Sequence, residues 1–487
     1  MKHFLWVWIF CFQVKAQKVD FKTLDAKLTF DMENKQVKGN LSYEFDVLET
    51  VDTIKIDAKN MQFSNLKINK KNVAFHADSN YLLLYEGFKK GKNKLTFSYQ
   101  AQPRQALYFI GEGQNLQIWT QGQGKYSSHW LPSFDDVNEK LIFNISMEVA
   151  DTLTALSNGV LKNKKENIPA KTNLWQYEMK KPMSSYLVMV AIGEYEKRTQ
   201  KTKPKIPLEF YLPKGNEARF EPTFRYSAQI FDFLNSEIGV KYPWNIYRQV
   251  AVKDFIYAGM ENTTSTIFSN DFVVDSVGFQ DKTYCNVNAH ELAHQWFGNM
   301  VTAQWGMHHW LQEGFATYYA LLAERHVFGD DYFNWELYNM AERLKMASKE
   351  DTIPILNPKA SSLTFYQKGA WALHYLRSKV GVKTFQEAVK IYIQKNAYQN
   401  VTTEDFLKEI AKKSDFDVVN FQKKWLESSQ LPLEEMLALL KENQFIKDYF
   451  SLLNLQTVPF AEKEQKLHQF MAMESFYPLQ AEVLYQI

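Results

Sequence analysis

The sequence predicts a multidomain α+β protein, in which an antiparallel β domain precedes a mainly helical domain and a short helical segment. At 487 residues the chain is too long for one ordinary core. Residues 17–203 alternate short apolar and polar runs, whereas helical spacing dominates from residue 204 onward. Apolar residues make up 45% of the chain and charged residues 23%, which is the balance of a globular protein.

The N-terminal residues 1–16 are predicted to be a signal peptide. Lys2 precedes an apolar run from Phe4 to Phe12, and Ala16 offers a small residue for cleavage. We therefore expect export, periplasmic or secreted, after cleavage near Ala16. No later stretch has the length of a transmembrane span, so no integral span is expected in the mature chain. Cleavage leaves Cys285 as the only cysteine, which excludes an intramolecular disulfide.

Residues 17–203 are predicted to form the β domain. Period-two alternation and turn residues at Gly91 and at Asn158–Gly159 mark its strands and their connections. The predicted strands include residues 40–48, 52–58, 80–88, 92–100, 115–121, 140–150 and 185–197.

Residues 204–430 are predicted to form the mainly helical domain, and residues 431–487 a helical segment. The predicted helices of the larger domain cover residues 220–239, 290–301, 313–329 and 366–381. The final segment is either a tail or the start of a further helical domain. A formal charge of +2 gives no reason to expect nucleic acid as a partner.

The stretch HELAHQW contains two histidines four residues apart, which lie on one face of a helix. His290 and His294 can therefore bind one cation, and Glu291 can reach a water on it without being a ligand. Catalytic zinc needs a third protein ligand and one open position. Glu313, which follows His294 after 18 intervening residues and lies near the start of the next predicted helix, supplies that ligand. A helix face without a metal is the weaker alternative.

These parts indicate one Zn²⁺ per chain and hydrolysis by an activated water. Glu291 is predicted to act as general base and then as general acid toward the leaving amine. A developing oxyanion needs a further stabilising group beside the metal.

HELAH with Glu313 at this spacing, followed by WLQEGFA, resembles the gluzincin aminopeptidases of the aminopeptidase N and leukotriene hydrolase family. Three further segments strengthen the resemblance, namely AGMEN at 258–262, YQKGA at 366–370, and TQGQ at 120–123 before WLPSFDD. The similarity covers about residues 20–430. It implies a saddle-shaped β domain and a thermolysin-like catalytic domain.

The resemblance also implies roles for particular residues. Glu261 would bind the free α-amino group of a peptide, while Gly259, Met260 and Asn262 align its backbone. Ala258 stands where the family usually has glycine, which can shift the strand slightly and leaves Glu261 intact.

Two more roles follow from the same resemblance. Tyr366 would hydrogen-bond the oxyanion, and Gln123 would help to hold the amine, with Gln121 as the weaker candidate. His308 and His309 match no family ligand and are interpreted as outer-shell or surface residues. Cys285 is interpreted as a buried small residue.

The hypotheses are a zinc aminopeptidase acting on peptides with a free N-terminus, a zinc endopeptidase, or a non-enzymatic peptide-binding protein. An endopeptidase would cleave N-terminally blocked peptides, and the first hypothesis predicts no such cleavage. A scaffold would lack a ligand or the base, and all of them are present. An epoxide hydrolase side activity needs a lipid-shaped pocket. The preferred N-terminal residue and the oligomeric state are not encoded in these motifs.

Overall fold

The computed structural model describes residues 17–487, and the predicted signal peptide at residues 1–16 lies outside them. Within this range a β-rich domain is followed by a mainly helical one, as predicted from the two kinds of spacing. No helix in the described range is long and apolar enough to cross a membrane.

The β domain consists of sheets that pack around a shared apolar core. In chain order its strands are β1 (Val19–Asp31), β2 (Gln36–Val47), β3 (Ile54–Asp57), β4 (Gln62–Ile68), β5 (Lys71–Asn72), β6 (Phe75–Ala77), β7 (Tyr81–Leu84), β8 (Gly91–Ala101), β9 (Leu107–Ile110), β10 (Gln117–Thr120), β11 (Lys140–Ala150), β12 (Thr154–Ser157), β13 (Val160–Asn167), β14 (Thr172–Glu178), β15 (Met183–Ser184) and β16 (Val190–Gly193).

The large sheet has the order β13–β14–β11–β1–β2–β8–β4–β5. Its strand pairs are antiparallel, except that β1 and β11 are parallel. On β1, Leu24 lies between Tyr43 of β2 and Phe143 of β11. All three side chains are buried, which is the consequence of period-two alternation with one face on the core. A smaller sheet, β12–β16–β10–β9, carries the segment that leads to Gln121 and Gln123.

The helical domain also contains a mixed sheet with the order β17–β18–β19–β21–β20. Its strands are β17 (Tyr195–Lys201), β18 (Pro207–Pro213), β19 (Tyr247–Val252), β20 (Gly259–Met260) and β21 (Ser265–Ser269), and a separate pair is β22 (Thr302–Ala303) with β23 (Asn400–Val401). The predicted domain boundary at 203/204 falls in the turn between β17 and β18. β20 lies at the edge of this sheet and pairs antiparallel with β21.

Helices pack around this sheet and continue to the end of the chain. They are α1 (Phe220–Phe224), α2 (Ser227–Glu237), α3 (Cys285–Ala293), α4 (Trp310–Phe328), α5 (Asp330–Ala347), α6 (Gly369–Val380), α7 (Val382–Lys395), α8 (Thr403–Ala411), α9 (Val418–Phe421), α10 (Leu433–Leu440), α11 (Gln444–Leu453), α12 (Phe460–Ala472) and α13 (Tyr477–Gln486).

The prediction of one helix over residues 290–301 was wrong at its C-terminal end. The helix begins earlier, at Cys285, and ends at Ala293. Gly298 has φ +125°, a conformation that side chains with a Cβ rarely adopt, and it turns the chain back. The amide of Asn299 then donates to the carbonyl of His294, and Trp296 is fully buried in the tight loop. Helical spacing of apolar residues cannot distinguish this buried loop from a continued helix.

Candidate metal centre and active site

The metal-ligand candidates meet at the junction of α3 and α4. His290 lies in the last turn of α3, His294 caps its C-terminus, and Glu313 lies in the first turn of α4. The Nε2 atoms of the two histidines are 3.0 Å apart. Glu313 Oε2 lies 3.4 Å from His290 Nε2 and 3.3 Å from His294 Nε2. The predicted triad is therefore assembled by two packed helices.

The donor set suits a small cation with nitrogen and oxygen ligands. His294 Nδ1 lies 2.8 Å from the carbonyl oxygen of Phe297, so Nδ1 carries the proton and Nε2 presents a lone pair. Glu313 Oε2 is buried and accepts no hydrogen bond within the described residues. A cation placed among these atoms would contact two ring nitrogens and one carboxylate oxygen at once. Two imidazoles and one carboxylate are a ligand set of catalytic zinc.

Glu291, the predicted base, lies beside the edge strand β20. Its carboxylate is buried, and Oε2 has no hydrogen-bond partner in the described chain. A Cβ added to Gly259 would come within 2.4 Å of Glu291 Oε1, so either the glutamate side chain or the strand would have to shift. The glycine thus lets the backbone of β20 touch the carboxylate. This contact explains in physical terms why the segment needs glycine at this position.

Glu261 follows β20 and is 3% exposed. Its Oε1 has no hydrogen-bond partner in the part of the chain described. Its carbonyl oxygen accepts from Asn299 Nδ2 at 2.7 Å and from Gln295 Nε2 at 3.4 Å, which fixes the backbone. One ligand atom each from Glu261, Glu291 and His294 lies within 4.8 Å of the other two. A second acid is therefore held next to the metal ligands with a free oxygen.

Burial governs the ionisation of these acids. It raises the pKa of both Glu261 and Glu291, and nearby His294 opposes the shift in each case. Burial also acts on Glu313, yet the nearby imidazoles, His294 above all, hold the pKa of that carboxyl well below its usual range. The site is thus a buried acidic pocket that favours cationic ligands.

The side chains of Met260 and Asn262 are both buried. Met260 is 1% exposed in the core, and Asn262 Nδ2 donates to the carbonyl of Leu187 at 3.4 Å. Met260 lies in the edge strand β20, whose backbone position suits strand addition, and Asn262 follows two residues later.

Tyr366 lies in a π-helical turn, Thr364–Lys368, directly before α6. Its ring stacks on the imidazole of His290 with centroids 5.5 Å apart and an interplanar angle of 5°. Burial, with Glu313 and Glu261 adding negative charge, raises the pKa of the phenol. The hydroxyl therefore stays protonated and can donate a hydrogen bond beside the metal ligands.

The β domain contributes Gln123 to the same centre. Its Nε2 donates to Glu313 Oε1 at 3.5 Å, across 190 residues of sequence. Gln121 is buried, and its backbone amide donates to the carbonyl of Ala106. Gln123 also borders a cavity of about 1060 Å³ between the domains. Of the two glutamines, only Gln123 contacts a ligand candidate.

Sequence reasoning set aside one residue that contacts the site. His309 Nε2 lies 3.2 Å from Glu313 Oε1, and the imidazole is 31% exposed toward the same cavity. The spacing of four residues between His309 and Glu313 is the pattern that could have revealed it. His308 points elsewhere, since its Nδ1 accepts from the amide of Thr403 at 3.2 Å at the start of α8. Cys285 is buried as predicted, and burial raises the pKa of its thiol to about 11.

A β domain followed by a mainly helical domain with two histidines and a glutamate at one point is typical of zinc metallopeptidases, and comparison with known sequences shows the family. Residues 21–187 match the peptidase M1 N-terminal domain, and residues 223–425 match the peptidase family M1 domain. The chain belongs to peptidase family M1, which confirms the predicted relationship to the aminopeptidase N group.

Curated relatives support this membership. Aminopeptidase M1-D of Oryza sativa subsp. japonica is 30% identical over 73% of this chain and 42% of its own length. Aminopeptidase M1 of Arabidopsis thaliana is 28% identical over 66% of this chain and 38% of its own length. Leucyl aminopeptidase of Saccharolobus solfataricus is 26% identical over 88% and 56%. The chain thus spans 38% to 56% of the length of these relatives.

Solved structures share the fold. A two-domain M1 zinc metallopeptidase mutant bound to L-tryptophan has a TM-score of 0.73 at 20% identity, covering 85% of this chain and 96% of that one. A mutant M1 zinc metallopeptidase from Deinococcus radiodurans, bound to a Tyr-Ser-Ala substrate, has the same TM-score at 19% identity over 85% and 96%. The N-terminal β domain and helical catalytic domain therefore form a known two-domain architecture.

Proposed function

We propose that the chain is a zinc-dependent aminopeptidase that hydrolyses the N-terminal bond of peptides with a free amino group. The observation that carries this proposal is Glu261, a buried carboxylate with an unpartnered oxygen next to His294. A buried carboxylate in that state calls for a cation. A protonated α-amino group supplies one, and family membership supports the same assignment.

One Zn²⁺ per chain would be held by His290, His294 and Glu313. When bound, zinc acts as a Lewis acid and lowers the pKa of a water molecule toward neutrality. The phenylalanine carbonyl that accepts from His294 Nδ1 keeps the ring in the tautomer that a metal requires.

The chain's own residues then carry out the proton transfers. Glu291 accepts a proton from the attacking water and delivers it to the nitrogen of the leaving peptide. The hydroxyl of Tyr366 donates to the former carbonyl oxygen as negative charge develops on it. Each group lies at the metal ligands: Glu291 next to His294, and Tyr366 stacked on His290.

Glu261 and Gln123 would decide which bond is cut. Glu261 binds the α-ammonium group, and Gln123 offers an amide oxygen from the opposite domain. An N-terminally acetylated peptide has no positive charge there, so it would leave Glu261 buried and unpaired. Unpaired buried polar groups discriminate strongly between ligands, by about 10⁴-fold in favourable cases.

The proposal is tested with aminoacyl-anilide substrates and the full chain. We expect turnover that a chelator abolishes and added zinc restores. Glu261→Gln keeps the shape and removes the charge, so KM should rise by about 100-fold or more with zinc content unchanged. Turnover that is insensitive to the chelator, or unchanged kinetics in Glu261→Gln, would contradict the proposal.

We also propose export after removal of residues 1–16, on the basis of the N-terminal pattern alone. Mass spectrometry of the protein recovered from its native host should find a mature N-terminus at Gln17. An intact Met1 in an intracellular fraction would contradict export.

A further inference from the structure

We propose that His309 is a positioning residue for the metal, which holds the outer oxygen of Glu313 so that this carboxylate binds zinc through one oxygen. The inference rests on the proposed function. It assigns a role to an imidazole that matches no ligand of the family and that the mechanism above does not use.

The two oxygens of Glu313 have different surroundings. Oε2 faces His290 and His294 at 3.4 and 3.3 Å and accepts no hydrogen bond in the described range. Oε1 points the other way, with His309 Nε2 at 3.2 Å and Gln123 Nε2 at 3.5 Å. Both neighbours are donors, and His309 is the closer one. The carboxylate is 1% exposed, so water cannot replace either donor easily.

The local sequence holds His309 in this position. It directly precedes α4, and the amide of Glu313 donates to its carbonyl at 3.1 Å, which aligns the two side chains on one helix face. The ring of Phe365 packs against the imidazole at a centroid distance of 5.3 Å and an angle of 90°. With Nε2 as the donor, Nδ1 is the unprotonated nitrogen of the ring.

This arrangement matters for coordination. A tetrahedral catalytic site needs three protein ligand atoms and one open position. If both oxygens of Glu313 bound the ion, the carboxylate would take that open position. His309 engages Oε1 and thereby leaves Oε2 as the ligand atom. Partners of this kind typically change metal affinity by about 10- to 100-fold when they are removed.

The experiment measures the zinc dissociation constant of the full chain by competition with a fluorescent chelator. His309→Leu removes the donor, whereas His309→Gln offers an Nε2 donor at a similar reach. His129→Leu is the matched control, because His129 lines the same cavity and its ring packs on Tyr126 instead of on Glu313. Thermal melting confirms that each variant is folded.

We expect the dissociation constant of His309→Leu to rise by about 10- to 100-fold. That of His309→Gln should stay within about threefold of the parent, and that of His129→Leu should not change. A merely structural role would not produce rescue by glutamine.

Parent-like zinc affinity in a folded His309→Leu variant would overturn the inference and leave the proposed function intact. Equal weakening in His309→Leu and His309→Gln would overturn it too. A parent chain that binds no zinc would instead contradict the proposed function.

Discussion

Glu261 and Glu291 are both buried glutamates beside His294, and their contacts give them different tasks. Glu291 touches the backbone of β20 at Gly259, next to the metal ligands. Glu261 lies at the end of that strand, with its main chain fixed by Asn299 and Gln295. One acid can therefore serve the reacting water, and the other can serve the end of the substrate.

Gly259→Ala tests the contact between β20 and the base. The new Cβ would come within 2.4 Å of Glu291 Oε1, so the carboxylate or the strand must move. We expect kcat to fall by about 100-fold, because a small misplacement of a catalytic group is costly. Zinc content should not change, since no ligand is touched.

Gly278→Ala is the matched control for that variant. A Cβ at Gly278 meets its nearest atom at an ordinary 3.5 Å. Parent-like kcat in Gly259→Ala, or an equal loss in Gly278→Ala, would show that the contact does not position Glu291.

At this scale the sequence predicted that the three ligand candidates lie close together, because their spacing follows from helix geometry. His290, His294 and Glu313 needed only two helices in contact. His309 was interpreted only as an outer-shell or surface residue, because its spacing of four residues from Glu313 is common on helices and does not by itself identify a contact. The burial of the Met260 side chain was not predicted either, because it depends on which face of β20 the core covers.

At the scale of elements, α4 and α6 approach each other through two glycines. Cβ atoms added at Gly314 and Gly369 would lie 3.1 and 3.0 Å from the Cα of the other glycine. Gly314 follows Glu313, and Gly369 follows the π-helical turn that carries Tyr366. This crossing therefore sets the distance between a metal ligand and the phenol, and π-helical turns are common at such sites.

Gly369→Ala should push the two helices apart by a few tenths of an ångström. Because Tyr366 moves with α6, we expect kcat to fall by about 10-fold with little change in KM. Single-turnover and steady-state kinetics on the same anilide substrate check this result. A rise in KM alone would place the effect in substrate binding and contradict the assignment to Tyr366.

Glu324 joins three helices around the metal centre and provides a pH-dependent prediction. Its carboxylate, on α4, accepts from Asn286 on α3 at 2.7 Å and from Tyr332 on α5 at 3.1 Å. Burial raises the pKa of Glu324 to about 7. The folded state thus binds the proton of Glu324 more tightly than the unfolded state does. The stability that this proton contributes is lost as the pH rises from the ordinary glutamate pKa of 4.5 through the raised pKa of about 7.

Glu324→Gln removes this titration and keeps the shape of the side chain. Relative to the variant, the parent should lose up to about 3 kcal/mol of unfolding free energy between pH 5 and pH 8. Chemical denaturation at both pH values measures the difference. If the free energies of unfolding of parent and variant differ by the same amount at both pH values, the raised pKa of Glu324 is contradicted.

Elements with clean periodicity were predicted well, and irregular ones were not. The alternation in residues 140–150 corresponds to β11. The stretch 290–301 was predicted as helix because its buried loop has the composition of one, and only Gly298 marks the turn. The edge strand β20 is two residues long, too short for any pattern to reveal.

At the scale of the whole molecule, the site lies where the two domains meet. Arg248 on β19 is buried and donates to the carbonyls of Ser157 at 3.1 Å and Gly159 at 2.7 Å. Asn158 Nδ2 donates across the same junction to the carbonyl of Thr263 at 2.7 Å. These bonds join the β domain to the segment that follows Glu261. The domain junction thereby ties the backbone that follows Glu261 to the domain that carries Gln123.

No motif in the sequence predicts this junction. Gln123 and Glu313 are 190 residues apart, and only the packed domains bring them together. The family resemblance predicted that Gln123 belongs to the site, yet it did not predict the bond to Glu313. Hydrogen bonds between a buried guanidinium and backbone carbonyls depend on tertiary geometry. Hydrophobic periodicity and secondary-structure propensity do not encode that geometry.

The most direct test of the central claim compares one peptide with a free N-terminus and the same peptide acetylated. Products are followed by mass spectrometry with the zinc-loaded full chain. We predict stepwise loss of single N-terminal residues from the free peptide and no cleavage of the acetylated one. Internal cleavage of either peptide, or equal rates on both, would contradict the assignment of Glu261 to the substrate's amino end.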